Sequence, residues 1–262
     1  MPHSAPPFRF AEAAPDPRLR PWLRACWEFT VSEGAPTTHH VPPDGCPFLV
    51  RAHGSGGEPM LLVFGPRTEP LVVPATPGQR QVGLRFAPGA TLPLFGLDPG
   101  ELVNSMRPLP AGGRIVPAAL LDALAVPDLS AMAEAVDRLL LPLVPSLQTP
   151  DPLVVAGLAR IWECAGREPL PQVAAALGCS PRTLLRRIRG ATGLTPKQYV
   201  RITRFMMTAR GMLGDDIRIS HLAASGGYAD QPHFHHEVSS LTGLTPSELA
   251  ARVRSTEHRL AE

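Results

Sequence analysis

The sequence has few cysteines, no long apolar run and no basic leader, and each absence excludes a class of protein. The four cysteines are widely spaced and form no C-x-x-C pair, which argues against a disulfide framework and a zinc knuckle. No apolar segment reaches the roughly 20 residues that cross a bilayer. The N-terminal stretch MPHSAPPFRFAEAAPDP lacks the basic start and apolar core of a secretory signal. These absences predict a soluble, cytoplasmic protein with no membrane partner.

Motifs of catalysis are also missing from the sequence. There is no G-x-S-x-G, no phosphate-binding glycine loop, and no paired-carboxylate or His-Glu metal spacing. The sequence therefore predicts a protein that is not an enzyme and that needs no cofactor or metal. A small-molecule enzyme built on a β-barrel in the N-terminal half, with the C-terminal half as a tether, is the alternative.

Charge is distributed unevenly along the 262 residues. Residues 1–146 hold 11 Lys and Arg against 13 Asp and Glu, whereas the rest of the chain holds 14 against 10. No acid lies between Glu168 and Asp215, a stretch with eight basic residues: Arg182, Arg186, Arg187, Arg189, Lys197, Arg201, Arg204 and Arg210. A charge run alone is usually a solvated helix face, but a basic stretch inside a folded sequence is also typical of phosphate contact.

The two halves of the chain differ in the spacing of their apolar and turn residues. The first hundred residues alternate turn residues with short apolar pieces that predict strands: CWEFTV, PFLVRA, MLLVFG, EPLVVP and QVGLRF. From about residue 117 the apolar spacing becomes helical, as in DLSAMAEAVDRLLLPLV and in PLVVAGLARIWE after Asp151. The prediction is an α+β protein. A β-rich sensor or dimerisation domain, with a cupin-like fold as one candidate, spans 1–147 and ends in linker helices, and an all-α domain spans 148–262.

Two helix-turn-helix units are predicted in the all-α domain. In the first, a helix with Val173, Ala174 and Leu177 ends at Gly178, and Ser180-Pro181 begins a second helix. That second helix is expected to turn Leu184, Leu185 and Ile188 inward and its arginines outward.

The same order returns about fifty residues later. Ile219 and Leu222 begin a helix, Asp230 caps the next, Phe234 and Val238 face inward, and a second Gly-Leu-Thr-Pro follows with a capping box at Thr245 and Glu248. Between the units, YVRITRFMMTARGML predicts a linking helix with one apolar face: Ile202, Phe205, Met206, Ala209 and Leu213.

These residues resemble the AraC/XylS family of bacterial transcription regulators, in which two helix-turn-helix motifs are joined by a long helix. The match covers 157–254 and includes LGCSPRTLLRR, TGLTPKQYV, GYADQPHF and TGLTPSELA. The resemblance implies binding to promoter DNA, with the second helix of each unit in successive major grooves. The residues then expected to contact DNA are Arg182, Leu185, Arg186, Arg187, Arg189, Lys197, Arg201, Gln231, Pro232, His233 and His236.

The second unit departs from the family pattern. Family members usually have arginine where this chain has His236 and an aromatic residue where it has Val238. An arginine has permanent charge and a forked donor, whereas an imidazole is mostly neutral at cellular pH. The second unit is therefore expected to discriminate bases less than the first.

Three histidines in four positions, His233, His235 and His236, also suggest a metal site. On a helix, positions i and i+3 share a face but i+2 does not, so the three cannot converge on one ion without another ligand. Contact with phosphate or purine acceptors is the favoured interpretation.

The N-terminal half resembles a smaller set of regulators in the same family through WLRACWEF, PDGC at 43–46, FGPRTEP at 64–70 and VGLRFAPGA at 82–90. Asp44 is most simply part of a turn, and Arg85 could pair with Asp44 or Glu69 or bind an acidic ligand. Asp44 and Arg85 are thus the candidate ligand residues, and His39-His40 is not expected to hold a metal. The expected partners are double-stranded promoter DNA, with a small-molecule effector, a second copy and, for an activator, RNA polymerase left open.

Overall fold

The computed structural model describes residues 6–54, 56–110, 115–213 and 219–259. The first five residues of the segment tested for a secretory signal lie outside this range. The N-terminal half contains strands β1 (Phe8–Ala13), β2 (Leu23–Val31), β3 (Thr38–Val41), β4 (Phe48–His53), β5 (Pro59–Phe64), β6 (Leu71–Pro74), β7 (Arg80–Phe86) and β8 (Met106–Pro108). All five strands predicted from the sequence are confirmed, whereas β1, β3 and β8 were not predicted.

Seven strands form the main sheet in the order β8-β5-β4-β7-β2-β1-β9. Its last member, β9 (Thr256–Arg259), comes from the other end of the chain and pairs in parallel with β1, Phe8 opposite Thr256 and Phe10 opposite His258. Strands β3 and β6 form a separate antiparallel pair, with His39 opposite Val73 and His40 opposite Val72. The β-rich half is therefore completed by a strand that follows the helical half.

Four helices accompany this sheet: α1 (Thr91–Phe95), α2 (Pro99–Leu102), α3 (Pro117–Leu124) and α4 (Leu129–Leu140). The Asp128 side chain caps α4 by accepting from the Ala131 amide, and Met132, Val136 and Leu140 of α4 are buried. They join sheet residues such as Leu84 and Phe86 in one hydrophobic core, which extends along the chain to Leu147.

The C-terminal half is helical: α5 (Pro152–Glu163), α6 (Leu170–Ala176), α7 (Pro181–Thr192), α8 (Pro196–Arg210), α9 (Ile219–Ser225), α10 (Gln231–Thr242) and α11 (Pro246–Ser255). A second core begins at Val154 and gathers Ile161, Ile188, Phe205 and Phe234. The α+β fold class is confirmed. The two larger cores divide between Leu147 and Val154, and strand β9 pairs across that point. The division into 1–147 and 148–262 stays a prediction.

Leu213 departs from the predicted apolar face of the linking helix. Ile202 and Phe205 are buried as expected, but α8 ends at Arg210 and Leu213 is 47% exposed. The prediction for Leu213 is wrong because the chain leaves the α-helical path before reaching it, so the helical spacing no longer applies.

Within the described ranges, no helix combines the length and apolarity that a membrane crossing requires. The same residues contain no group of three or more His, Cys, Asp or Glu side chains placed to hold a metal ion.

Candidate nucleic-acid interface

The helices α7 and α10 are the second helices of two units that repeat at an interval of 50 residues. Each has 12 residues, a polar side chain at its start and a left-handed glycine at its end. Ser180 Oγ accepts from the Thr183 amide, and the Asp230 carboxylate accepts from the His233 amide at 2.7 Å. The predicted caps at Ser180 and Asp230 are thus confirmed.

The repeated Thr-Gly-Leu-Thr-Pro forms the same corner after each of these helices. Thr192 Oγ1 donates to the Ile188 carbonyl at 2.8 Å and accepts from the Leu194 amide at 3.1 Å. Thr242 makes the equivalent bonds to Val238 and Leu244 at the same distances. Both threonines are buried, so each corner ties the end of a second helix to the helix that follows.

The backbone at the corner glycines, Gly193 and Gly243, has a positive φ, which explains why both repeats have glycine there. Their φ angles are 76° and 72°, a region that disfavours any side chain with a Cβ. Capping boxes then begin the next helix in both repeats, Thr195 with Gln198 and the predicted Thr245 with Glu248. The box at Thr195 was not predicted from the sequence.

The exposed face of α7 is basic. Leu184 and Ile188 are buried in the second core, while the arginines of α7 are exposed: Arg182, Arg186, Arg187 and Arg189. Leu185 is 46% exposed, so the expectation that it faces inward is wrong. It lies about 100° around the helix from Leu184 and shares the outer face with Arg182 and Arg189, at helical spacing.

Three of the predicted DNA contacts have acidic side chains nearby: Arg187, Arg201 and His233, whose Nε2 lies 3.9 Å from Glu237 Oε2. Arg187 Nη1 lies 3.0 Å from Asp151 Oδ2, at the start of α5. Arg201 Nε on α8 lies 3.4 Å from Glu237 Oε2, and Glu237 is only 7% exposed. Lys197, by contrast, is exposed in the first turn of α8. The structure thus separates the predicted cations into outward residues and residues that also hold the helices together.

The outer face of α10 carries the second set of predicted contacts. Gln231, Pro232, His233 and His236 are exposed. His233 is also part of the helix start, because its Nδ1 accepts from the Ala229 amide at 3.3 Å and its ring meets Tyr228 edge-on at 5.5 Å. His235 is half-buried, so the three imidazoles face different surroundings.

Glu237 is a buried acidic residue beside the candidate interface that the sequence did not single out. It occupies the position of Arg187 in the 50-residue repeat, so a charge of opposite sign stands at the same place in the second unit. Burial and the nearby Glu237 carboxylate both raise the pKa of Tyr228 above its usual range. Arg204 also lies over the Tyr228 ring at 5.8 Å. A direct comparison of the two repeats would have flagged the exchange of Arg for Glu.

The candidate ligand residues of the N-terminal half, Asp44 and Arg85, form ion pairs within the protein. Arg85 Nη2 lies 2.9 Å from Glu12 Oε1, and Arg85 Nη1 lies 3.5 Å from Asp44 Oδ2. Burial works to lower the pKa of Arg85, but Asp44 and Glu12 outweigh it and raise the pKa. Asp44 also accepts from the Cys46 amide at 2.9 Å, as expected for a turn. Asp44 and Glu12, not Glu69, are therefore the partners of Arg85.

Two family models match the chain. Residues 173–252 match a model described as "Helix-turn-helix domain". Residues 11–108 match one described as "Domain of unknown function (DUF6597)". The first segment contains α7, α8, α9 and α10 complete, and the second covers most of the sheet.

Similar proteins agree with the first match. The HTH-type transcriptional activator RhaS of Escherichia fergusonii is 34% identical over 70 residues, which are 27% of this chain and 25% of the relative. The chain thus spans about a quarter of the length of that relative.

Solved structures similar to the chain include the C-terminal domain of AraT, a response regulator from Geobacillus stearothermophilus. It is 23% identical, with a TM-score of 0.37, over 40% of this chain and 88% of that one. ToxT from Vibrio cholerae O395 is 7% identical, with a TM-score of 0.47, over 94% of this chain and 97% of that one. The family match and the related sequence agree with the resemblance seen in the paired motifs: residues 173–252 of this chain match a helix-turn-helix domain.

Proposed function

We propose that this protein is a sequence-specific DNA-binding transcription regulator that reads promoter DNA through α7 and α10 in two successive major grooves. The observation that carries the proposal is the outer face of α7, where Arg182, Arg186 and Arg189 are exposed together on a helix without an acid. An arginine fork on a helix in the major groove can donate to O6 and N7 of guanine. The matching helix-turn-helix segment is the frame in which such a helix enters DNA.

The cations around α7 divide into base-reading and backbone-binding roles. Arg186 lies in the middle of the outer face, where base edges come within reach. Lys197 stands in the first turn of α8, where the positive end of the helix also favours phosphate. Arg187 forms an ion pair with Asp151, and Arg201 forms one with Glu237. A phosphate therefore has to compete with these carboxylates for the two arginines. We assign Lys197, Arg187 and Arg201 to the phosphate backbone.

The second unit contributes less to base discrimination in this proposal. Residues 181–192 carry four arginines and no acid, whereas residues 231–242 carry no arginine or lysine and one acid, Glu237. DNA attracts the first helix strongly and the second weakly. Gln231, Pro232, His233 and His236 then contribute hydrogen bonds and van der Waals contacts.

The N-terminal half senses an effector or holds two copies together, and in an activator the protein also contacts RNA polymerase. Support for regulation comes from RhaS, which is named a transcriptional activator. Two carboxylates surround the single guanidinium of Arg85, so an acidic effector would have to displace Glu12 or Asp44.

Selection of bound sequences from random duplexes, with and without cell extract, tests the proposal. The full-length protein should enrich one sequence. Arg186→Ala should then lose about 1–3 kcal/mol on that sequence and relax the preference at one base pair. Lys197→Ala is the matched control for charge and should weaken all sequences alike. Equal losses that ignore sequence would make Arg186 a phosphate contact, and no enrichment with the wild type would refute the proposal.

A further inference from the structure

Both Thr-Gly-Leu-Thr-Pro corners are packed against the N-terminal half. A Cβ at Gly193 would collide with the backbone carbonyl of Pro99 and lie 2.8 Å from Val103, just after α2. A Cβ at Gly243 would lie 3.7 Å from the His40 ring and from Pro70. The N-terminal half therefore contacts the C-terminal ends of α7 and α10. The candidate DNA contacts Arg182 and Gln231 lie at the other, N-terminal ends of these helices.

At the second corner, two residues of strand β3 form hydrogen bonds with α10 and α11. His40 Nδ1 lies 2.8 Å from the Thr242 carbonyl, the last residue of α10. A carbonyl only accepts, so His40 carries its proton on Nδ1 in this contact. Two residues before His40 on the same strand, the Thr38 carbonyl accepts a hydrogen bond from Arg252 of α11 at 3.1 Å. Strand β3 thus binds both helices that flank the corner.

Alternation along β3 connects these bonds to the interior of the N-terminal half. His39 lies between Thr38 and His40 and points the other way, as successive residues of a strand do. Its ring centroid is 4.3 Å from that of Phe29 and 5.1 Å from that of Phe8. Because β3 is not a member of the main sheet, its position depends on this aromatic packing and on its pairing with β6.

We propose that His40 is a positioning residue that fixes the end of α10 relative to α7 and thereby sets the spacing of the DNA segments that the protein reads. The inference rests on the proposed function and deepens it, because it names the element through which the N-terminal half acts on DNA recognition. Thr38 and Arg252 support the same contact. An effector or a change in the N-terminal core that moves β3 alters the preferred spacing.

The test measures spacing discrimination with the full-length protein. The duplex selected by the wild type is compared with the same duplex carrying one extra base pair between the segments protected by the two units. The ratio of the two affinities should exceed one for the wild type. His40→Ala should lower that ratio about two- to tenfold, the range that corresponds to the net contribution of one hydrogen bond. His40→Asn should restore the ratio, since its amide can donate to the Thr242 carbonyl.

Two controls separate positioning from folding. His53→Ala, at an exposed position of β4, should leave the ratio unchanged. All variants should bind a duplex with only the α7 segment as the wild type does, and amide exchange in His40→Ala should speed up at 239–244 and not at 189–194.

Three results would overturn the inference: a ratio of one in the wild type, an unchanged ratio in His40→Ala, or a loss of binding to the α7 segment in that variant. Failure of the proposed function itself is seen earlier, because the wild type would then select no duplex at all.

Discussion

Acidification should destabilise the protein through His39, whose imidazole is enclosed by aromatic rings. Its Nδ1 is buried and has no hydrogen-bond partner within the described ranges. Burial, and then the electrostatic effect of Arg252, His40 and His258, lower the pKa of His39 from 6.5 to about 4. The charged form is therefore disfavoured in the folded protein but not in the unfolded chain.

The sign and size of the effect follow from these two pKa values. Above pH 6.5 the ring is neutral in both states, so its contribution to stability is complete. As the pH falls from 6.5 towards 4, His39 binds a proton in the unfolded chain but stays neutral in the folded protein, so the free energy of unfolding decreases. Between pH 7.5 and pH 5 the loss from His39 alone is about 2 kcal/mol, and below pH 4 it stops growing.

The assay is urea unfolding followed by tryptophan fluorescence at pH 7.5 and pH 5. His39→Phe places a ring that cannot titrate beside Phe8 and Phe29, so the difference in unfolding free energy between the two pH values should shrink by about 2 kcal/mol. His53→Phe, at an exposed position, should keep the wild-type difference. Other groups, such as His258 with its lowered pKa, contribute equally to all three proteins. A wild-type pH dependence in His39→Phe would refute the reasoning.

Three further predictions concern the helical half. Gly193→Ala should lower the free energy of unfolding by about 1–3 kcal/mol, because φ is 76° and Pro99 occupies the space that the Cβ would fill. The control Gly190→Ala, in open space inside α7, should raise the free energy of unfolding by up to about 1 kcal/mol in the same denaturation assay. Glu237→Gln should lower the melting temperature yet tighten binding to random-sequence DNA at low salt, since Arg201 loses its acidic partner; a matched change at the exposed Glu163 should do neither. Lys197→Ala should reduce the slope of log affinity against log salt by about 1, and an unchanged slope would remove Lys197 from the phosphate contacts.

The helical half could be predicted closely because its signals are local. Ser180, Asp230 and Thr245 each cap the helix that they precede, and the apolar spacing of Phe234 and Val238 marks the buried side of α10. Leu185 and Leu213 were the exceptions: Leu185 lies outside the core because of its angle from Leu184, and Leu213 follows the end of α8.

The sheet was predicted only in part because pairing is not local. The strands with continuous apolar runs were found, but β3 and β9 contain polar residues, THHV and TEHR, that no alternation pattern marks as strands. Their strand conformation comes from partners far away in sequence, β6 for β3 and β1 for β9. The Glu237–Arg201 and His40–Thr242 contacts were missed for the same reason, since they join distant helices or opposite halves.

The pairing of β9 with β1 has a consequence for the order of events during synthesis. Residues 8–13 leave the ribosome nearly 250 residues before their partner, so the outer side of β1 stays open while the helical half is being made. An unpaired strand edge of this kind can join another nascent chain. The sheet therefore cannot be completed before residues 256–259 are made, and a chain that ends before them keeps an exposed strand edge that favours aggregation.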